Sequence, residues 1–384
     1  MIDNKSKIIL IAVGDMMLGD QHFSSGFGVA SQIEMKGTEY LFKDVANILK
    51  TGNIVFGNLE CTISASEEIV GGKKHFIAPR SVLNAIRDAG FTVLSVSNNH
   101  TMQNGVEQFK STVSDLKKVN ILPIGIKNET AYQIIEGRKV VYLSYSLTYD
   151  KTSVHYLYNQ LGPESHVLFE QGALNDQIGI ILSEIHKAKI QSDFLIISLH
   201  WGLEYVPYPS LWQVETARKF IDAGADVILG CHAHVLQGYE IYNGKTIIYG
   251  MGNFIFDQTF NPNTRKSAIF EIQITDSLPS VTYYPILIDK NDYHPILLSN
   301  TAEDKIQKHI EFIRSSLENK TLEEYSKVIV AYPSEDNPYQ AKAVKYMYSN
   351  FIRNIFKYSP RVTFLIIKMS ILRRLHSPTA YSSK

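Results

Sequence analysis

The feature that most constrains this chain is a repeated local pattern. A short, β-branched apolar run stops at a strand-breaking residue and hands over to a cluster of polar side chains. Runs at residues 7–13, 53–56, 91–96, 138–145, 194–199, 227–229 and 245–249 mostly lack polar alternation, so strands built from them need cover on both faces. Between them, apolar residues recur every three or four positions over 105–118, 176–189 and 211–223, the spacing of one helix face. Strands alternating with helices in this order are joined by crossovers, which predicts an α/β layered fold. Period-two alternation at 267–275 and 280–288 predicts an antiparallel pair, suited to the second sheet of a sandwich.

The polar cluster at the end of each run carries the chemistry. The first run leads into Gly14-Asp15, the second into Asn58-Leu59-Glu60, the third into Asn98-Asn99-His100, and later ones into His200, into His232-Ala233-His234 and into Gly252-Asn253. Carboxyl ends of parallel strands share one edge of a sheet, where residues distant in sequence converge. Singly, Asp15, Asn99 or His200 reads as a turn, a cap or a core residue. The pair His232 and His234 is sharper, because alternate residues on an extended segment point the same way. Together these oxygen and imidazole donors, without thiolate spacing, suit one or two divalent ions such as manganese, iron or zinc.

Composition narrows the function classes. The chain has 38 basic and 38 acidic residues among 384, so no global field favours nucleic acid as a partner. Two cysteines, Cys61 and Cys231, are too few for a disulfide framework. The run at 8–13 meets Gly14-Asp15 instead of a cleavage site, and no apolar run reaches the roughly 20 residues of a membrane-spanning helix. The expectation is a cytoplasmic protein. Charge is uneven, however: residues 337–384 hold nine basic residues and no acidic one, which predicts a basic amphipathic helix around 361–375. That segment is the candidate for peripheral contact with the inner membrane face, the alternative being a helix packed on the core with its basic side chains in water. The expected domains are 1–300 and a mostly helical, basic extension at 301–384.

As a set, Gly14-Asp15-Met16-Met17-Leu18-Gly19, Asn58-Leu59-Glu60, Ser97-Asn98-Asn99-His100, His200-Trp201-Gly202-Leu203-Glu204-Tyr205, Gly230-Cys231-His232-Ala233-His234-Val235-Leu236-Gln237 and Gly252-Asn253-Phe254-Ile255-Phe256-Asp257-Gln258 resemble the capsule-synthesis CapA family, the poly-gamma-glutamate biosynthesis proteins. The resemblance implies a metallophosphoesterase-like α/β/β/α sandwich of the calcineurin type with a helical C-terminal extension. It implies Asp15, Glu60, Asn99, His200, His232 and His234 as metal ligands, with Glu60 in the bridging place and His100 as the catalytic neighbour. Asn253 and Arg265 are the expected substrate-binding residues. Met17 stands where phosphoesterases place a histidine ligand, which predicts one strong metal position, around His200, His232, His234 and Asn99, and one weaker. The implied function is metal-dependent hydrolysis of a phosphoester or related bond in an anionic small-molecule or polymer substrate. The alternative is a non-hydrolytic capsule assembly component whose site binds an anionic polymer end.

Overall fold

The computed structural model describes residues 7–127, 129–148, 174–275, 278–299, 301–329, 338–358, 360, 363–364 and 367. The first part of the chain supplies β1 (Ile8–Met16), β2 (Ile54–Leu59), β3 (Thr62–Ile63), β4 (Ile77–Ala78), β5 (Val93–Ser95) and β6 (Leu122–Ile124). The middle supplies β7 (Ala131–Ile135), β8 (Arg138–Leu147), β9 (Phe194–Trp201), β10 (Val227–Cys231), β11 (Leu236–Tyr242) and β12 (Lys245–Met251). Last come β13 (Asn253–Ile255), β14 (Lys266–Ile274), β15 (Ser280–Ile288) and β16 (Pro295–Leu297).

One sheet runs β16-β15-β14-β1-β2-β5-β6 with β13 also on β1, and the other runs β11-β12-β10-β9-β8-β7. The pair β3 and β4 stands apart. The antiparallel strands expected in the second sheet join the first: β14 lies along β1, with Ile8 opposite Ile274 and Ala12 opposite Phe270. The second sheet is built from the middle of the chain instead.

Alternation along each strand sorts the core into layers. Leu10 and Ala12 of β1 point between the sheets with Phe194, Ile196, Leu229 and Phe270, while Ile11 and Val13 point to helices Val29–Lys36, Val82–Ala89 and Val106–Lys118. On the second sheet, Val141, Leu195, Ile197 and Tyr249 face helices Leu174–Ile190 and Leu211–Asp222. The result is the α/β/β/α sandwich that the resemblance implied. Helix Thr301–Leu317 completes it, placing Ile306 and Ile310 in the inter-sheet core and Ile313 and Leu317 in the outer one. The helix expected around 361–375 falls largely outside the described residues. Among the described residues, no helix is long and apolar enough to cross a membrane.

Candidate metal centre

Asp15 lies near the end of β1, Glu60 follows β2, His200 lies near the end of β9 and His232 follows β10, so the two sheets offer their carboxyl edges to one spot. Two close approaches hold those edges in place. A Cβ on Gly14 would stand 1.8 Å from the Gly252 carbonyl oxygen, and one on Gly230 would stand 2.0 Å from that of Tyr249. Only glycine lets these strands meet.

Asp15 is fully buried; it accepts from Asn58 Nδ2 (2.8 Å) and from the His232 backbone N–H (3.1 Å), which ties the first sheet to the second. Burial opposes its ionisation, yet His234, His200 and Asn58 hold the carboxyl well below the usual range. Asn58 also reaches His200 Nδ1 (3.3 Å), and Asn98 Nδ2 donates to Asn58 Oδ1 (3.3 Å) and to the Leu59 carbonyl (2.9 Å). His200 Nε2 lies 3.0 Å from Asn99 Oδ1 and 3.1 Å from His232 Nδ1. Burial and the neighbouring His232 push His200 well below the ordinary imidazole pKa, so it is a neutral donor of lone pairs.

His234 donates from Nδ1 to Asn253 Oδ1 (2.8 Å), and Asn253 Nδ2 in turn donates to the Thr264 carbonyl (3.2 Å). This leaves Nε2 toward Glu60 Oε1, 3.9 Å away. Burial lowers His234, but the Asp15 carboxylate 3.4 Å from Nδ1 outweighs it and raises the pKa. The His-x-His geometry differs from the extended segment expected. His232 (φ 91°) and His234 (φ 57°) both sit in left-handed backbone in a bend after β10, and their ring centroids are 6.0 Å apart. Such conformations cost about 1–3 kcal/mol each and cluster at functional sites.

Glu60 tests whether these residues fit a cation. It is wholly buried, neither carboxylate oxygen has a hydrogen-bond partner, and Oε1 lies 3.7–3.9 Å from ring nitrogens of His100, His200 and His234. Burial first, then Asp15 and Glu204, push its pKa well up. An unpaired buried carboxylate costs on the order of several kcal/mol, a cost that a divalent ion removes. The donor set of carboxylates and imidazoles fits such an ion.

Ligand atoms fall into two triads, Asp15, Glu60, His200 and Glu204, His232, His234, each within 4.8 Å. The motifs alone suggest a different grouping, with His200, His232 and His234 together and Asp15 and Glu60 as the weaker half. They assign no role to Glu204, although that acidic residue stands four positions after His200. Met17 packs in the helix-side core.

His100 is the more open imidazole, its side chain 20% exposed. Its ring stacks on Phe76 at 4.4 Å and 11°, and Nδ1 pairs with Gln103 Oε1. Arg265 Nε donates to the Ile288 carbonyl (2.8 Å), and Asp289 is its neighbouring charge. Asn253 has its amide engaged at both ends, on His234 and Thr264. Both thiols stay protonated, since burial pushes Cys61 up to about 12 and Cys231 well above its ordinary value.

The family model described as bacterial capsule synthesis protein PGA_cap matches residues 9–258. Over 306 residues the chain is 29% identical to the capsule biosynthesis protein CapA of Bacillus anthracis, covering 76% of this chain and 70% of that protein. It is 31% identical over 271 residues to the PGA biosynthesis protein CapA of Bacillus subtilis, covering 68% of this chain and 66% of that one. A solved structure, TT1561 of Thermus thermophilus, aligns with 72% of this chain and 99% of its own at TM-score 0.37 and 9% identity.

Proposed function

Since the chain belongs to the bacterial capsule synthesis family PGA_cap, we propose that it is a metal-dependent hydrolase of capsule or exopolymer metabolism, acting on a phosphoester or related bond of an anionic substrate. The observation that carries this reading is Glu60, buried with neither oxygen partnered and surrounded by imidazole nitrogens. Asp15, Glu60 and His200 would hold one divalent ion, with Asn99 beside them, and Glu204, His232 and His234 a second. Manganese, iron and zinc all suit this donor set. Such an ion polarises a phosphoryl oxygen and lowers the pKa of adjacent water.

The chain's own residues supply orientation and a proton. Asn58, itself held by Asn98, fixes the Asp15 carboxylate and the His200 ring, and Asn253 fixes the His234 ring, so these three donors are set before any ligand arrives. At His100, Gln103 Oε1 accepts from Nδ1, which leaves Nε2, 3.7 Å from Glu60 Oε1, to give a proton to a departing oxygen. Stacking on Phe76 keeps the ring in that plane.

The test is turnover of a generic phosphodiester or monoester by purified protein with manganese. His232→Ala should reduce the rate by at least about a hundredfold while the fold is kept; an unchanged rate ends the hydrolytic reading. The second reading rests on the biosynthetic names of the two Bacillus relatives. In it the same site holds an anionic polymer end without turnover, and metal-dependent polymer binding by protein that hydrolyses nothing is its signature.

A further inference from the structure

We propose that the C-terminal segment is a docking surface for an anionic lipid bilayer, formed by exposed basic side chains around solvent-facing Phe356. Helix Pro338–Arg353 has an inner face, Ala343, Met347 and Phe351 at four-residue spacing, that is buried. Phe351 and Tyr358 pack with Phe23 and Phe27, and the Tyr358 hydroxyl bonds to the Phe23 carbonyl (2.5 Å). The segment is therefore fixed to the body, and its outer side is held in a defined position.

Lys342, Lys345, Arg353 and Lys357 of this segment are all exposed, the Lys357 ammonium standing 5.3 Å from the Phe27 ring at the edge of that contact. Among the described residues, large apolar side chains of the C-terminal part also face solvent: Phe356 is 99% exposed, Ile352 68%, Phe364 67% and Ile367 44%. Exposed apolar residues scattered singly need no explanation, but here four fall within sixteen positions of a segment that holds basic and no acidic residues. Nucleic acid would use the charge but leave the aliphatic side chains in water. A bilayer of anionic lipid uses both, with lysine and arginine at the headgroups and the apolar side chains at the acyl boundary.

The experiment is co-sedimentation of the full chain with phosphatidylglycerol-containing vesicles and with neutral phosphatidylcholine vesicles. Binding is expected to the anionic vesicles at low salt, with release as ionic strength rises. Each charge removed among Lys345→Gln, Arg353→Gln and Lys357→Gln should lower partitioning about fivefold. Phe356→Ser should lower it several-fold further without changing the salt dependence. Absence of binding to anionic vesicles at low salt overturns the proposal, as does equal binding to neutral vesicles or wild-type binding by the Gln variants. Ester hydrolysis in solution is a separate readout, so failure here and failure of the hydrolase reading are distinguishable.

Discussion

With no donor on either oxygen and Asp15 close by, Glu60 binds its proton tightly until a cation displaces it. Manganese binding should thus release about one more proton from the wild type than from Glu60→Gln, measured by calorimetry in buffers of different ionisation enthalpy. The variant should also bind at least about tenfold more weakly; equal affinity and proton release would mean that Glu60 is no ligand. Asp257 gives a pH prediction away from the ligands. Its carboxyl is buried, with Oδ1 unpartnered and Ser24 and Gln21 on Oδ2, and burial raises its pKa from 3.8 to about 7. The folded state then binds more protons than the unfolded state between those values, so this group's contribution falls as pH rises through the window, by up to about 4 kcal/mol. Asp257→Asn should lose less stability than wild type between pH 5 and pH 8, read from urea midpoints; parallel losses would remove Asp257 as the cause. The residues at 15, 60, 200, 232 and 234 were legible as candidates because histidines and carboxylates at strand ends announce themselves. The positioning roles of Asn58, Asn98 and Asn253 were not, because an amide takes its role from partners that in sequence lie 19–142 residues away.

Elements were legible where periodicity was long. The strands around β1, β8, β9 and β12 and the helices Val106–Lys118 and Leu211–Asp222 stand where their apolar spacing places them. β7 and β11 were not foreseen, although each is one arm of a tight hairpin with its signal in the sequence. Asn243-Gly244 (φ 49° and 71°) joins β11 to β12, and Glu136-Gly137 (φ 50° and 73°) joins β7 to β8, both left-handed pairs of the kind hairpins favour. The assignment of β14 to the wrong sheet has another cause: alternation shows that a strand has two faces but not which neighbour it pairs with. Two glycines contrast in their effects. Gly14→Ala puts a methyl into the Gly252 carbonyl and forces β1 from β13, which should cost about 2–4 kcal/mol and weaken metal binding through Asp15. Gly179, exposed in helix Leu174–Ile190 with nothing within 4 Å of an added Cβ, should gain about 0.5–1 kcal/mol as Gly179→Ala. Thermal melts of both variants, with metal content of the first, check the pair; a neutral Gly14→Ala would show that the two strands can separate freely.

At the scale of the whole molecule, the candidate metal centre depends on two sheets keeping their carboxyl edges aligned, and the chain past residue 300 contributes to that. Helix Thr301–Leu317 lies against β11 and puts Ile306 and Ile310 between the sheets, with Ile313 and Leu317 on the outer face. Tyr325 follows in the next helix, its hydroxyl on the Pro209 carbonyl (2.7 Å). Arg218 of helix Leu211–Asp222 spans the same junction, pairing with Glu240 (2.8 Å) and donating to the Leu317 carbonyl (3.1 Å). At about 1.5–3 kcal/mol for each buried aliphatic side chain, the four aliphatic residues contribute on the order of 6–12 kcal/mol. A folded chain is stable by only about 5–15 kcal/mol in total. A fragment of residues 1–300 should therefore lose its cooperative unfolding transition and aggregate through the exposed β11 edge, even though it contains every proposed metal ligand. Chemical denaturation of the fragment beside the full chain decides this: a stability within about 0.5 kcal/mol of the parent's would make the C-terminal helices an appendage of an independent core.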